Sequence, residues 1–367
     1  MSALKNLYSP SFYNRLSAIL TESIPGFDKA EFIRLINSDG FENKELKERM
    51  RHTAIVLHHF MPKDFALAVD ALQTIIENAR QANFGEDGLA SMFLPDYIEV
   101  YGLDHYDDAI KALEYVTQYT SCEFAVRPFL IKYPDQMMKQ MQAWSLHDNY
   151  KVRRFASEGA RPRLPWAMAI PHLKKDPSAV LPILENLKND PSEFVRRSVA
   201  NNINDIAKDH PDVVIDIAKK WKGYNTLTDA IVKHGSRTLL KQGHAEILKI
   251  YGLDAIHIEF SDFEIITPVV KMGDSVTFTF GIKNISLQPQ TVRLEYGMYY
   301  MKAKGQLAKK VFKISEKTYQ PGEQAVITRN QSFKAITTRV FYPGEHQLSI
   351  IINGQEKEPV LSFNLAL

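Results

Sequence analysis

The chain has almost no cysteine: Cys122 is the single thiol among 367 residues. One thiol cannot close an internal disulfide or complete a Cys-x-x-Cys motif, which fits a reducing compartment, and a cytoplasmic protein is expected. Long apolar runs are also missing. Nothing approaches the roughly 18 to 20 apolar residues of a membrane span, and "MSALKNLYSPSFYNRLSAIL" has no apolar core ahead of a small-residue cleavage site. Neither secretion nor membrane insertion is expected. Charge of one sign is scarce as well, since 45 Lys and Arg oppose 43 Asp and Glu for a net +2. Any acidic partner must therefore be met by local patches and not by a global field. There is no Walker loop, no GxGxxG opening a helix and no GxSxG elbow, which argues against P-loop NTPase, dinucleotide-binding and α/β-hydrolase chemistry. His52, His58 and His59 lie in "ERMRHTAIVLHHF" without a carboxylate or cysteine at ligand spacing, so no metal site is expected.

What is present divides in two. Up to about Gly252 apolar residues recur at helical spacing, as in "SAVLPILENL" and "PDVVIDIAKKW", and Pro, Gly and Asx residues punctuate them. Beyond Ile256 the period is two: in "SVTFTFGIKN", Val276, Phe278, Phe280 and Ile282 share one face, and Thr277, Thr279 and Lys283 the other. Turn signals recur at Pro321-Gly322, Pro343-Gly344 and Asn353-Gly354, the last placed as in a hairpin. About seven short strands without a disulfide suggest an immunoglobulin-like sandwich. The expected domains are residues 1–252 and 256–367, with the boundary near 252–257. The helical half carries a weak repeat: Val152-Arg153-Arg154 returns as Val195-Arg196-Arg197, an offset within the roughly 40 to 47 residues of HEAT-type helix pairs. The expected fold is mainly an α solenoid of HEAT-like repeats, followed by a small all-β sandwich. A solenoid of this kind presents a concave face for binding.

Candidate site residues gather in "VRRFASEGARPRLPWAM", residues 152–168. Glu158 precedes Gly159, the expected helix stop, where a negative charge opposes the helix dipole and stability alone would not select it. Trp166 follows Pro165 at what reads as a new helix start. It is either a core tryptophan or an aromatic presented beside Arg153, Arg154, Arg161 and Arg163, a combination suited to phosphates and a nucleobase. Glu123 lies three residues after Thr120, the spacing of a capping box that Asp190 and Glu193 repeat; alternatively it is a carboxylate at the mouth of a groove. On the helix from Ser192 to Lys208, Val195, Val199, Ile203 and Ile206 form the apolar stripe. Arg197, Asn201 and Asp205 follow one another on a polar face, either solvated or lining the concavity. In "MKAKGQLAKKVFK", Lys302, Lys304, Lys309, Lys310 and Lys313 cluster without an intervening acid. They either protect a sheet edge or contact phosphates.

Taken together, "KNLYSPSFYNRLSAI", "ERMRHTAIVL", "EFAVRPFL", "VRRFASEGARPRLPWA" and "DPSEFVRRSVANNINDIAKDHPD" resemble the AlkC branch of the AlkC/AlkD family of DNA alkylation repair glycosylases. The resemblance covers the helical half, and the β half is similar to an immunoglobulin-like extension that some members carry. Asn201 stands where an AlkD-type helix presents a tryptophan. The resemblance implies a monofunctional DNA glycosylase without cofactor, acting as a monomer on double-stranded DNA containing alkylated bases in a bacterial cytoplasm. Its expected substrates are 3-methyladenine and 3-methylcytosine. It implies Glu123, Glu158, Trp166 and Asp205 as catalytic positions. Arg153, Arg154, Arg161, Arg163, Arg197, Asn201, Lys302, Lys304, Lys309 and Lys310 are then expected at DNA. The rival expectation is a non-catalytic HEAT scaffold, in which the acids are dispensable.

Overall fold

The computed structural model describes residues 4–253, 257–336 and 339–366. Helices run from Pro10–Ser23 to Ala245–Ile250, and eight strands follow from Ile258. No helix among the described residues is long and apolar enough to cross a membrane. The last helix ends at Ile250 and the first strand begins at Ile258, and residues 254–256 of the anticipated junction lie outside the described ones. The chain forms two compact units, residues 1–210 with 223–235, and residues 211–222 with 236–367. The second unit therefore contains helices Pro211–Trp221, Arg237–Lys241 and Ala245–Ile250 as well as the strands.

Local chemistry starts many of the helices. Ser9, Asp28, Asp64 and Asn149 each cap a first turn by accepting a backbone N–H, and prolines open the helices at Pro10, Pro134, Pro171 and Pro211. The repeat of 43 residues is built in the same currency. In helix Tyr150–Gly159, Arg153 Nη1 donates to the carbonyls of His147 and Asp148 at 2.9 and 2.7 Å. In helix Glu193–Ile206, Arg196 Nη1 donates to those of Asp190 and Pro191 at 2.7 and 2.8 Å. Each arginine thus ties its helix to the turn before it. The two expected capping boxes do not form: Ser192 is the residue at the second helix start, and Glu123 lies ahead of helix Val126–Lys132 with its carboxylate turned elsewhere.

Among the described residues eight strands, one more than the sequence suggested, make the sandwich: β1 (Ile258–Ile265), β2 (Val269–Lys271), β3 (Ser275–Asn284), β4 (Gln290–Met301), β5 (Leu307–Tyr319), β6 (Gln324–Ser332), β7 (Gly344–Ile352) and β8 (Gln355–Ala366). One sheet has the order β1-β3-β6 and the other β2-β8-β7-β4-β5. Val276, Phe278, Phe280 and Ile282 are buried as their period demands, against Leu294, Met298, Leu348 and Ile350 of the facing sheet. Asn353 and Gly354 both have positive φ, 48° and 75°, as the tight hairpin between β7 and β8 requires. A Cβ on Gly354 would lie 2.6 Å from Gly243 Cα and 3.1 Å from a Leu248 methyl, so the hairpin packs directly on the helices of its own unit.

His346 of β7 is fully buried among the rings of Tyr300, Phe333 and Phe363. The Met301 N–H lies 3.3 Å from its Nδ1 and Nε2 faces the Tyr342 carbonyl at 3.0 Å, an arrangement that suits a neutral ring with its proton on Nε2. Burial lowers its pKa from 6.5, only partly offset by backbone carbonyls. Because the unfolded chain takes up the proton first, the stability this group contributes is complete above about pH 6.5 and is lost as pH falls toward the folded pKa. In thermal unfolding of the intact chain between pH 7 and 5, His346→Phe should flatten the decline seen in the unsubstituted protein. Parallel profiles would exclude this histidine as a source of acid sensitivity.

Candidate functional site

Helix Tyr150–Gly159 stops where the sequence indicated. Its last position has room only for glycine: a Cβ on Gly159 would come within 2.9 Å of Met141 Cε and Val126 Cγ1. Residues 161–170 then form an irregular segment up to helix Pro171–Lys175, so Trp166 does not open a helix as expected. Arg127 holds this segment from inside. Its side chain is wholly buried, and Nη1 donates to the carbonyls of Gly159 at 3.1 Å and Arg161 at 2.9 Å, while Nε donates to that of Met168. Burial and the neighbouring Arg161 charge push its pKa down to about 10. The segment so fixed carries Trp166 at φ 64°, a left-handed conformation that costs energy for any residue but glycine, and leaves the indole 64% exposed. Trp166 is therefore presented and not packed, whereas Trp144 and Trp221 are buried.

Around the end of this helix, acids and bases alternate. Glu123 Oε2 accepts from Arg154 Nη1 and from the Ser121 hydroxyl. Arg154 Nη2 lies 3.7 Å from Glu158 Oε1, which accepts from Arg161 Nη1 at 2.7 Å. Arg161 Nε reaches Asp205 Oδ2 at 2.7 Å, and Asp205 Oδ1 accepts from Lys208 at 2.9 Å. Burial works against the Arg161 charge, but Glu158 and Asp205 outweigh it and raise its pKa. Exposure of the carboxylate side chains grades from 16% at Glu123 to 8% at Glu158 and 2% at Asp205. Both oxygens of Asp205 are engaged, while the bonds of Glu123 and Glu158 each run through one oxygen. Glu123 and Arg154 line a cavity of 490 Å³ together with Phe194. The Arg154 guanidinium lies 4.7 Å from the Phe194 ring centroid, and that ring is 49% exposed. Cys122, beside Glu123, is fully buried, and burial holds its thiol pKa well above the usual value.

The structure thus brings together Glu123, Arg154, Glu158, Arg161 and Asp205. Arg153 lies apart from them, bidentate on Asp190, as part of the repeat. Arg161, expected at phosphate, is buried between carboxylates, and Arg154 is largely so. Arg163 is partly exposed and bidentate on Asp209. Arg197 is exposed, and Asn201 is half-buried with His234 3.4 Å away. His52 and His58 serve packing, His52 against the carbonyls of Leu35 and Ile36 and His58 stacked on Tyr101. Sequence reasoning missed Arg127, Phe194 and Lys208; only Arg127 left a trace, in the Val126-Arg127 pair that echoes the other Val-Arg steps.

In the second unit the lysine cluster divides. Lys309 pairs with Glu356, remote in sequence, and Lys313 with Glu316, three residues further along its own strand. Lys302 and Lys304 instead line a cavity of 590 Å³ with Arg339 and Tyr342. Burial, and after it the like charges of Arg339 and Lys241, pull the Lys310 pKa down.

Residues 59–239 match the family described as DNA alkylation repair enzyme, and residues 259–366 match the C-terminal Ig-like domain of the YhaZ protein. Over 359 residues, 98% of each chain, the sequence is 44% identical to "Uncharacterized protein YhaZ" of Bacillus subtilis (strain 168). The Pseudomonas fluorescens alkylpurine DNA glycosylase AlkC, solved bound to DNA containing an abasic site analog, is similar over 100% of both chains, with 34% identity and a TM-score of 0.93.

Proposed function

The chain belongs to the DNA alkylation repair enzymes of the AlkC type, and we propose that it is a monofunctional glycosylase hydrolysing the N-glycosidic bond of cationic N3-alkylated bases, 3-methyladenine and 3-methylcytosine. Its partner is double-stranded DNA, and it acts as a monomer. The observation that carries this reading is the pair of glutamates, Glu123 and Glu158, each bonded by arginine through one oxygen, an arrangement that leaves the second oxygen to a substrate. That a relative binds DNA containing an abasic site analog, a mimic of the product such a reaction leaves, supports it.

The chemistry follows from the charge of the lesion. An N3-alkylated base is already cationic, so it departs with the bonding electron pair as a neutral base and needs no general acid. Positive charge moves to the deoxyribose, where a preorganised carboxylate stabilises the oxocarbenium-like transition state. Water then adds at C1′, and its proton passes to a carboxylate. Glu123, the more exposed acid, is the one assigned to sugar and water, with Glu158 behind it. Asp205 has no oxygen to spare and acts by holding Arg161. Trp166 packs against the lesion nucleotide. Formation of alkali-labile abasic sites in duplexes carrying a single 3-methyladenine or 3-methylcytosine tests the assignment, and intact duplexes after prolonged incubation would refute it.

The same geometry redistributes the arginines. Arg197 is exposed and is assigned to phosphate, whereas Arg161 is a structural member of the acid cluster. Arg197→Ala should therefore lower the salt slope of DNA binding by about one unit and leave excision from the bound complex unchanged. Arg161→Ala should slow excision and leave the slope alone. The opposite pattern in a binding series across salt concentrations would reverse the two assignments.

A further inference from the structure

Lys47 sits in the first turn of helix Leu46–Phe60, where a positive charge works against the helix dipole. The stability of its own helix therefore does not account for it. Its ammonium group, whose charge also acts on the Glu99 carboxylate across the cleft, has two neighbours in the candidate site, both remote in sequence. Nζ donates to the backbone carbonyl of Trp166, and it lies 4.4 Å from the ring centroid of Phe124. Phe124 is bonded to Glu123, so one exposed lysine touches the residue after one proposed catalytic side chain and the backbone of another. Lys47, Phe124, Ala167 and Met168 also share the wall of a 540 Å³ cleft.

We propose that Lys47 is a positioning residue for base excision, fixing the left-handed backbone that presents Trp166 and tying it to the Glu123–Phe124 segment. The proposal rests on the reading that Trp166 acts at the lesion. The physical argument is that φ of 64° at a tryptophan persists only where its surroundings determine it. Arg127 secures the segment on both sides of Trp166, through Arg161 and Met168, but it makes no bond to Trp166 itself. Lys47 supplies that bond. Without it the peptide after Trp166 loses its donor, φ relaxes toward negative values and the indole swings away. Because the lysine is exposed, its loss leaves the core intact.

The test compares Lys47→Met, which keeps the apolar stem over Phe124 and removes the donor, with Lys47→Arg, which restores one. Single-turnover excision by Lys47→Met should fall by roughly 10- to 10²-fold, with DNA affinity and salt slope unchanged, and Lys47→Arg should recover most of the rate. Acrylamide quenching reports Trp166 selectively, since the other two tryptophans are buried, and should change in Lys47→Met without DNA. In a Trp166→Ala background, Lys47→Met should cost nothing further. Slow excision by Trp166→Ala with normal excision and quenching in Lys47→Met would overturn the proposal alone. A loss confined to affinity, with the salt slope lower by about one, would make Lys47 a phosphate contact and overturn it too. Normal excision by Trp166→Ala would overturn the reading of Trp166 and this proposal with it.

Discussion

Glu123→Gln is expected to slow single-turnover excision by roughly 10²-fold or more, with affinity for lesion DNA changed only a few-fold. The substitution preserves shape and the acceptor that Arg154 and Ser121 use, while it removes the negative charge and turns the second oxygen into an amide donor. That charge matters most when the deoxyribose becomes cationic, so the loss falls on the transition state. Asp205→Asn should slow excision comparably, but for another reason: Arg161 loses a full counter-charge and with it the geometry that sets Glu158. The two cases separate in stability. Asp205 is buried and saturated, so its variant should also melt at lower temperature, whereas Glu123, partly exposed, should leave the melting temperature almost unchanged. Wild-type excision in both variants would remove these two carboxylates from the catalytic assignment.

Replacing Lys302, Lys304, Lys310 and Arg339 together by glutamine should weaken DNA binding on the order of 10²-fold or more at about 0.1 M salt and lower the salt slope by about three to four units. These four side chains belong to the basic region of the sandwich, whereas Lys309 and Lys313 already have carboxylate partners. Replacing Lys309 and Lys313 should therefore have little effect, which provides an internal control for non-specific charge. Equal losses from both sets, or none from either, would remove the sandwich as a phosphate-binding surface. Deletion of the strands would be a poorer experiment. They share a compact unit with three helices, and the Gly354 hairpin packs on Gly243 and Leu248, so truncation at residue 256 would strip a core surface.

The fold was legible wherever the determinant was local. The switch from helical to alternating period located the two halves, and Asn353-Gly354 gave a hairpin because both residues tolerate positive φ. The spacing of Arg153 and Arg196 reflects a real repeat, since each arginine clamps the turn just before its own helix. The site was legible in its residue types and less so in their roles. Pro165-Trp166 imitates a helix start, but Arg127, nearly forty residues earlier, holds that segment irregular through its carbonyls, a contact no nearby spacing signals. Thr120 and Glu123 imitate a capping box, yet the Glu123 carboxylate is taken by Arg154. The arginines of residues 152–163 suggest a phosphate-binding patch. Folding instead pairs them with Asp190, Glu123, Glu158, Asp205 and Asp209, spread over a long stretch of chain, and leaves the exposed charge at Arg197 and in the sandwich.

Buried Cys122 has a meaning outside the fold. Methylating agents that create cationic bases in DNA also attack proteins, and thiolates are the side chains they modify fastest. This chain has a single thiol, closed off from solvent and held protonated by its surroundings, one residue from Glu123. A thiol so enclosed and so reluctant to ionise is a poor target for such agents, so the segment that carries Glu123 offers them no reactive sulfur.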